Sequence, residues 1–154
     1  MKHMLVGLIW LLLCFSPLTA LAETPATVLE QSVSDTLDLW REGRYEQLFE
    51  RLTKRGKTSK EQFVKKMRET SVRPACCFQK LQDFKVLNEK RTEATVYAKV
   101  GLEGMANPSE SSTREFRLSH DSGEWKMQLG DILSLSGAAG KKTTHRKKST
   151  KKSY

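Results

Sequence analysis

Histidine and cysteine occur only three times each in 154 residues, and proline four times. His3 and His145 lie near the chain ends, and His120 sits beside the turn signal Asp121-Ser122-Gly123, where a histidine is normally solvated. There is no Ser-His-Asp set, no glycine-rich phosphate loop, no Cys/His spacing for zinc and no internal repeat. Triad hydrolysis, P-loop nucleotide chemistry, metal ligation and solenoid architecture therefore have no support, and no cofactor is called for. Long apolar runs are missing beyond the N-terminus, which excludes a multi-span membrane protein. With 38% hydrophobic residues the chain is nevertheless too apolar to be disordered throughout. Its length suits one domain.

The N-terminal segment has three parts. Lys2 and His3 give a positive start, Leu5–Phe15 is an uninterrupted apolar run, and Ser16-Pro17 breaks it ahead of Ala20-Leu21-Ala22. This is the layout of a secretory signal peptide over residues 1–22, cleaved after Ala22. An uncleaved anchor is the rival reading, since Leu5–Ala22 approaches the length of a membrane span. Lipidation at Cys14 is disfavoured because Leu13 stands where a small residue belongs. The expectation is an exported protein, periplasmic or secreted, with a domain over 23–136 and a linker plus disordered basic tail over 137–154.

The net charge of +9 is unevenly distributed. Lys141, Lys142, Arg146, Lys147, Lys148, Lys151 and Lys152 form a terminal cluster without an acid, whereas Glu23–Gly140 holds nineteen bases against eighteen acids. A nearly neutral domain is no nucleic-acid surface by charge, and an exported chain does not meet cytosolic nucleic acid. The tail instead suits an anionic membrane or envelope polymer, or it is a solvated solubility tail.

Periodicity divides the domain in two. Val28 or Leu29, Val33, Leu37 and Trp40 recur at helical spacing, Gly43 interrupts, and Tyr45, Leu48, Phe49 and Leu52 resume. A third helix begins at Ser59, with Gln62 placed to complete a capping box, and runs through Phe63, Val64 and Met67 until Arg73-Pro74 ends it. Beyond Pro74 the period becomes two. Phe84 and Val86 mark one strand, Asn88-Glu89-Lys90 a turn, and Thr92–Val100 a second strand with Ala94, Val96, Ala98 and Val100 on one face. A polar loop covers Asn107–Ser112, Phe116 and Leu118 mark a third strand, and Asp121-Ser122-Gly123 forms a hairpin turn. A long last strand places Trp125, Met127, Leu129, Asp131, Leu133 and Leu135 at one parity. Helices followed by an antiparallel meander make the class α+β.

Leu39-Trp40-Arg41-Glu42-Gly43-Arg44-Tyr45-Glu46-Gln47-Leu48-Phe49, Ser59-Lys60-Glu61-Gln62-Phe63 and Gly123-Glu124-Trp125-Lys126-Met127 occur in an order that resembles the nuclear transport factor 2-like superfamily, including its SnoaL-like branch. The resemblance spans roughly Val28–Leu135 and is strongest to secreted bacterial members without an assigned activity. It implies N-terminal helices packed in a strongly bent antiparallel sheet, a cone-shaped apolar pocket for a small ligand, and a homodimer through the sheet. The superfamily holds both enzymes and binding modules, so the fold leaves function open.

The acid–base pair used by enzymes of that superfamily has no counterpart here. Asp131 is the one candidate general base, desolvated if it shares the apolar face of the last strand, or solvated if Gly130 bulges or the strand reaches the rim. Tyr97, Trp125, Met127, Leu129 and Asp131 form the candidate pocket, with Tyr97 and Trp125 equally readable as packing residues. Cys76 and Cys77 are either packed thiols, a bridge between two chains, or a vicinal disulfide. A strand through Ala75–Phe78 would send their side chains to opposite faces. The sequence thus points to an exported, non-catalytic small-ligand-binding or assembly module of the bacterial cell envelope. The alternatives are a small isomerase or hydro-lyase using Asp131, and a binder of polyanions through the tail.

Overall fold

The computed structural model describes residues 25–104 and 111–138. Residues 1–24, which include the expected signal segment, residues 105–110 and the basic residues beyond Ala138 lie outside the described residues. Helix α1 (Pro25–Arg41) is followed by α2 (Tyr45–Glu50), β1 (Leu52–Thr53), α3 (Lys60–Arg68), β2 (Arg73–Pro74), a 3₁₀ turn (Cys77–Gln79), β3 (Leu81–Glu89), β4 (Glu93–Glu103), β5 (Ser111–Asp121), β6 (Glu124–Gln128) and α4 (Leu129–Leu135). The class is α+β, with a strongly curled, half-barrel sheet around helices.

α1 forms because Leu29, Val33, Leu37 and Trp40 line one side of a seventeen-residue helix, and all four are buried. Its two buried polar positions are satisfied: the Thr36 hydroxyl donates to the Ser32 carbonyl at 2.8 Å, and the Ser32 hydroxyl donates to the Trp125 carbonyl. Gly43, at φ +73°, turns the chain between α1 and α2. α3 starts on the predicted capping box, with Gln62 N–H donating to Ser59 Oγ at 3.2 Å and Ser59 N–H donating to Gln62 Oε1 at 3.1 Å. Phe63, Val64 and Met67 bury its inner side, and the Phe63 ring stands 5.5 Å from that of Phe49 on α2.

The sheet order is β1-β6-β5-β4-β2, with β3 also pairing with β4. β3, β4, β5 and β6 form the expected antiparallel meander, whereas β1 joins β6 in parallel through Leu52 opposite Met127. The alternation read in β4 is observed: Ala94, Val96, Ala98 and Val100 are buried, and register brings Phe116 and Leu118 of β5 opposite Val96 and Ala94. Met127 follows opposite Leu118. α1 crosses this core face against β2, β3 and β6. The face is filled by side chains: Val96, Ala98, Val100, Phe116 and Met127 are each 0% exposed. Ser122 and Gly123 both take positive φ, +55° and +84°, the geometry that matches the twist of a two-residue hairpin.

Several boundaries differ from expectation. Leu52 belongs to β1 rather than to a helix, because pairing with β6 satisfies its backbone. α3 ends at Arg68, and Arg73-Pro74 pairs with Glu103 and Leu102 of β4. β3 continues through Asn88 and Glu89, so the turn occupies Lys90–Thr92, closed by Lys90 N–H donating to the Glu93 carbonyl at 2.7 Å. β5 already begins at Ser111, inside the expected loop. Most consequentially, the last strand stops at Gln128, and Leu129–Leu135 is helical. Leu129, Ile132, Leu133 and Ser136 are all buried, a spacing of three and four that buries as one helical stripe. The shared parity of Leu129, Leu133 and Leu135 had concealed it.

Candidate functional site

The change from strand to helix at Leu129 moves Asp131 off the sheet. Because β6 pairs with β5 only over Leu118–Asp121, the edge of β5 from Ser111 to Arg117 has no strand neighbour on that side among the described residues. α4 runs beside it instead. The Asp131 carboxylate accepts a hydrogen bond from the Arg117 backbone N–H, and Arg114 donates to Ser134 Oγ at 2.8 Å. Asp131 therefore acts as a backbone acceptor where the ladder runs out, a role that follows from the need to satisfy every buried donor. Burial pushes its pKa up, while Arg114, Arg117, the Arg117 N–H and Lys54 oppose the rise. Its Oδ2 is buried without a hydrogen-bond partner among the described residues. A general base must reach the proton it removes. With one oxygen held by backbone and the other shut away from solvent, this carboxylate is placed for structure, and the raised pKa alone does not make it a base.

The five candidate pocket residues do not line one cavity. Met127 and Leu129 are core side chains, and Trp125 is half-buried at the core's margin with its ring 5.0 Å from that of His120. Tyr97 alternates to the outer face of β4, opposite Glu115, while its neighbours Val96 and Ala98 bury inward. Asp131 sits on α4. Tyr97 and Met127 are thus on opposite sides of the sheet, because successive residues of a strand project to opposite faces and register carries that alternation across its neighbours. The outer face, which a sheet-mediated homodimer would use, carries Lys85, Tyr97, Lys99, Glu115 and Arg117 and is polar.

Two features come together that sequence reading had not connected. The first is cationic. Arg51–Arg68 contains eight bases and one acid, a concentration hidden when the body was summed to near neutrality. Part of it is neutralised: Lys60 meets Glu50 at 2.5 Å, Arg68 meets Glu46 at 3.1 Å, and Arg51 reaches Asp35 and Glu124 at 3.7 Å each. Lys54, Lys57, Lys65 and Lys66 are exposed and make no ion pair among the described residues. Lys54 and Arg117 also line a polar cleft of about 240 Å³ with Ser119 and Gln128, adjoining the start of α4, the helix from which the tail continues. A local count of charge would have revealed the run. Its meeting with Arg117 in one cleft needed the fold.

The second is the Cys76–Cys77 segment. The expected strand through Ala75–Phe78 is absent, because Cys77 takes φ +58° and opens a 3₁₀ turn. The two sulfurs are joined as a vicinal disulfide. The turn is pinned on both flanks. Arg41 donates to the Pro74 carbonyl at 2.7 Å, Ala75 N–H to the Gly101 carbonyl at 2.8 Å, and Cys76 N–H to Glu103 Oε1 at 3.3 Å. Beyond it, Gly101 N–H donates to the Lys80 carbonyl at 3.3 Å and Lys80 Nζ binds Asp38 at 2.6 Å. Gly101 is required here, since a Cβ would collide with the Gln79 carbonyl oxygen. Cys76, Cys77 and Phe78 are exposed, Phe78 to 79%.

Among the described residues no helix is long and apolar enough to cross a membrane, and no group of three His, Cys, Asp or Glu side chains is placed to hold a metal ion. No protein-family model matches the chain, and no curated protein matches it.

Proposed function

We propose that this chain is an exported, non-catalytic assembly module of the bacterial cell envelope, of the nuclear transport factor 2-like type, that holds an anionic surface through its basic tail and the cationic side of its domain. The observation that carries the reading is the number of exposed bases that make no ion pair among the described residues. Lys54 and Arg117, together with Glu93, line one cleft at the start of α4; Lys57, Lys65 and Lys66 are exposed on the loop and α3, and seven more bases follow Gly140 in the sequence. Near an anionic bilayer each such base is worth about 1 kcal/mol, so the tail alone supplies on the order of 7 kcal/mol before ordering costs. The filled core face weighs against a small-ligand carrier, and the buried Oδ2 of Asp131 weighs against an isomerase or hydro-lyase.

The test is co-sedimentation of residues 23–154 with phosphatidylglycerol-containing vesicles across a salt series. Replacement of the seven tail bases by Gln is expected to weaken binding by roughly tenfold or more and to flatten its salt dependence. Additional replacement of Lys54, Lys57, Lys65 and Lys66 is expected to abolish what remains. Undiminished binding by the tail variant overturns the reading. An isolated tail peptide that binds as well as the whole chain would leave the domain no part in contact.

A further inference from the structure

The vicinal disulfide has no evident structural task. A disulfide stabilises chiefly by removing loop-closure entropy from the unfolded chain, and the gain grows with the length of chain enclosed. Cys76 and Cys77 are neighbours, and their Cα atoms are 3.8 Å apart, the spacing of any trans peptide. Joining them encloses no chain and brings no elements together. The turn does not depend on the bond for its position either. It is held from the N-terminal side by Arg41, the Gly101 carbonyl and Glu103, and from the C-terminal side by the Gly101 N–H and the Lys80–Asp38 pair. Arg41 and Arg73 both lie 3.3 Å from Glu103 Oε2, which fixes the carboxylate that receives the Cys76 N–H.

What the scaffold does is present the sulfur pair outward. Both cysteines are exposed, and Phe78, next in the chain, is among the few large apolar side chains of the described domain left in water. Beside them runs a groove of about 370 Å³ between the turn and α1, lined by Gln31, Ser34, Cys77 and Lys80 among others. Accessible sulfur in a rigidly mounted turn beside an open groove suits exchange, which needs an incoming thiolate to reach a sulfur.

We propose that Cys76–Cys77 is a reducible two-electron site that undergoes thiol–disulfide exchange with a dithiol. A thiolate of the dithiol attacks one sulfur of the pair. The Cys76–Cys77 bond breaks, a mixed disulfide forms, and the displaced cysteine leaves as a thiolate that takes up a proton. The second thiol of the dithiol loses its proton and attacks its own partner sulfur in the mixed disulfide, releasing the other cysteine, which is protonated in turn. Two electrons pass to the cysteine pair. The dithiol ends as a disulfide, and the protein ends with two thiols on an unchanged scaffold.

The test uses residues 23–154 under native conditions, with dithiothreitol as the dithiol. Before reduction, iodoacetamide is expected to label neither cysteine. After dithiothreitol it is expected to label both, with the far-ultraviolet circular dichroism unchanged and the thermal midpoint moved by less than about 4 °C. Oxidised glutathione should then restore the unlabelled form. In Cys77→Ser, the remaining Cys76 should retain a glutathione adduct, the trapped form of the mixed disulfide. Labelling of both cysteines without reductant, resistance to dithiothreitol until the protein is denatured, or unfolding on reduction each overturns the proposal. The first shows that no bond exists, the second that it is inaccessible, and the third that it is a staple.

Discussion

Replacing Asp131 by Asn tests the placement of this carboxylate through the pH dependence of stability. In the folded chain burial raises the pKa of Asp131 above its ordinary value of 3.8, and the nearby Arg114, Arg117 and Lys54 only partly oppose it. Between the unfolded value and the raised folded value, the folded state binds more protons than the unfolded state. Stability from this group therefore falls as pH rises through that window, and the loss persists above it. One proton sets the steepest slope at about 1.4 kcal/mol per pH unit. The carboxyl is only partly buried, so solvent screening keeps the integrated effect well below what that slope would give over a wide window. The amide introduced by Asp131→Asn does not titrate but keeps an oxygen for the Arg117 N–H. Urea unfolding of both proteins from about pH 3 to about pH 7 is expected to show the parent gaining on Asp131→Asn as pH falls through the window, with a constant difference above it. Contributions from other carboxylates, such as Glu50, whose pKa is lowered chiefly by its hydrogen bond with Lys60, cancel in the difference. A difference that is flat throughout, or that grows with rising pH, refutes the placement of Asp131 as a desolvated acceptor on the β5 edge.

The filled core face makes Phe116→Ala costly: about 3–5 kcal/mol from lost burial and the cavity left under α1, read by urea unfolding, with a cost below about 1 kcal/mol meaning that the space was not packed. Gly101→Ala drives a Cβ into the Gln79 carbonyl, so it is expected to destabilise by about 1–3 kcal/mol and to change the rate at which dithiothreitol reduces Cys76–Cys77. Parent-like stability together with a parent-like reduction rate would show that the strand and the turn are not in that close contact.

How much of this was legible in the sequence follows from the range of the forces. The capping box at Ser59 and Gln62, the stripe on α1, the alternation of Ala94, Val96, Ala98 and Val100, and the Ser122-Gly123 hairpin were all readable, because each is decided within a few residues by backbone geometry and by the need to bury one face. The α+β class followed from their order. Leu129–Leu135 was not readable in the same way. Its leucines fit a two-residue period as well as a helical one, and what distinguishes the helix is its packing, with Leu129, Ile132, Leu133 and Ser136 buried together and Ser134 bonded to Arg114 of β5. The candidate pocket residues were separated in the same way: packing places Asp131 on a helix, and register places Tyr97 on the outer face of β4.

The same division holds for the chemistry. The order of residues along the chain is enough to establish the composition of the basic tail, the adjacency of Cys76 and Cys77, and the scarcity of histidine that leaves acid–base catalysis few candidates. Folding was needed to fill the core face, to turn Asp131 toward a backbone N–H, to bring Lys54 and Arg117 into one cleft, and to expose Cys76 and Cys77 on an anchored turn. Those outcomes depend on which groups meet across long chain separations, such as Arg114 with Ser134, Lys80 with Asp38 and Cys76 with Glu103. Local propensity carries no information about such meetings, because they exist only once the sheet has curled around its helices.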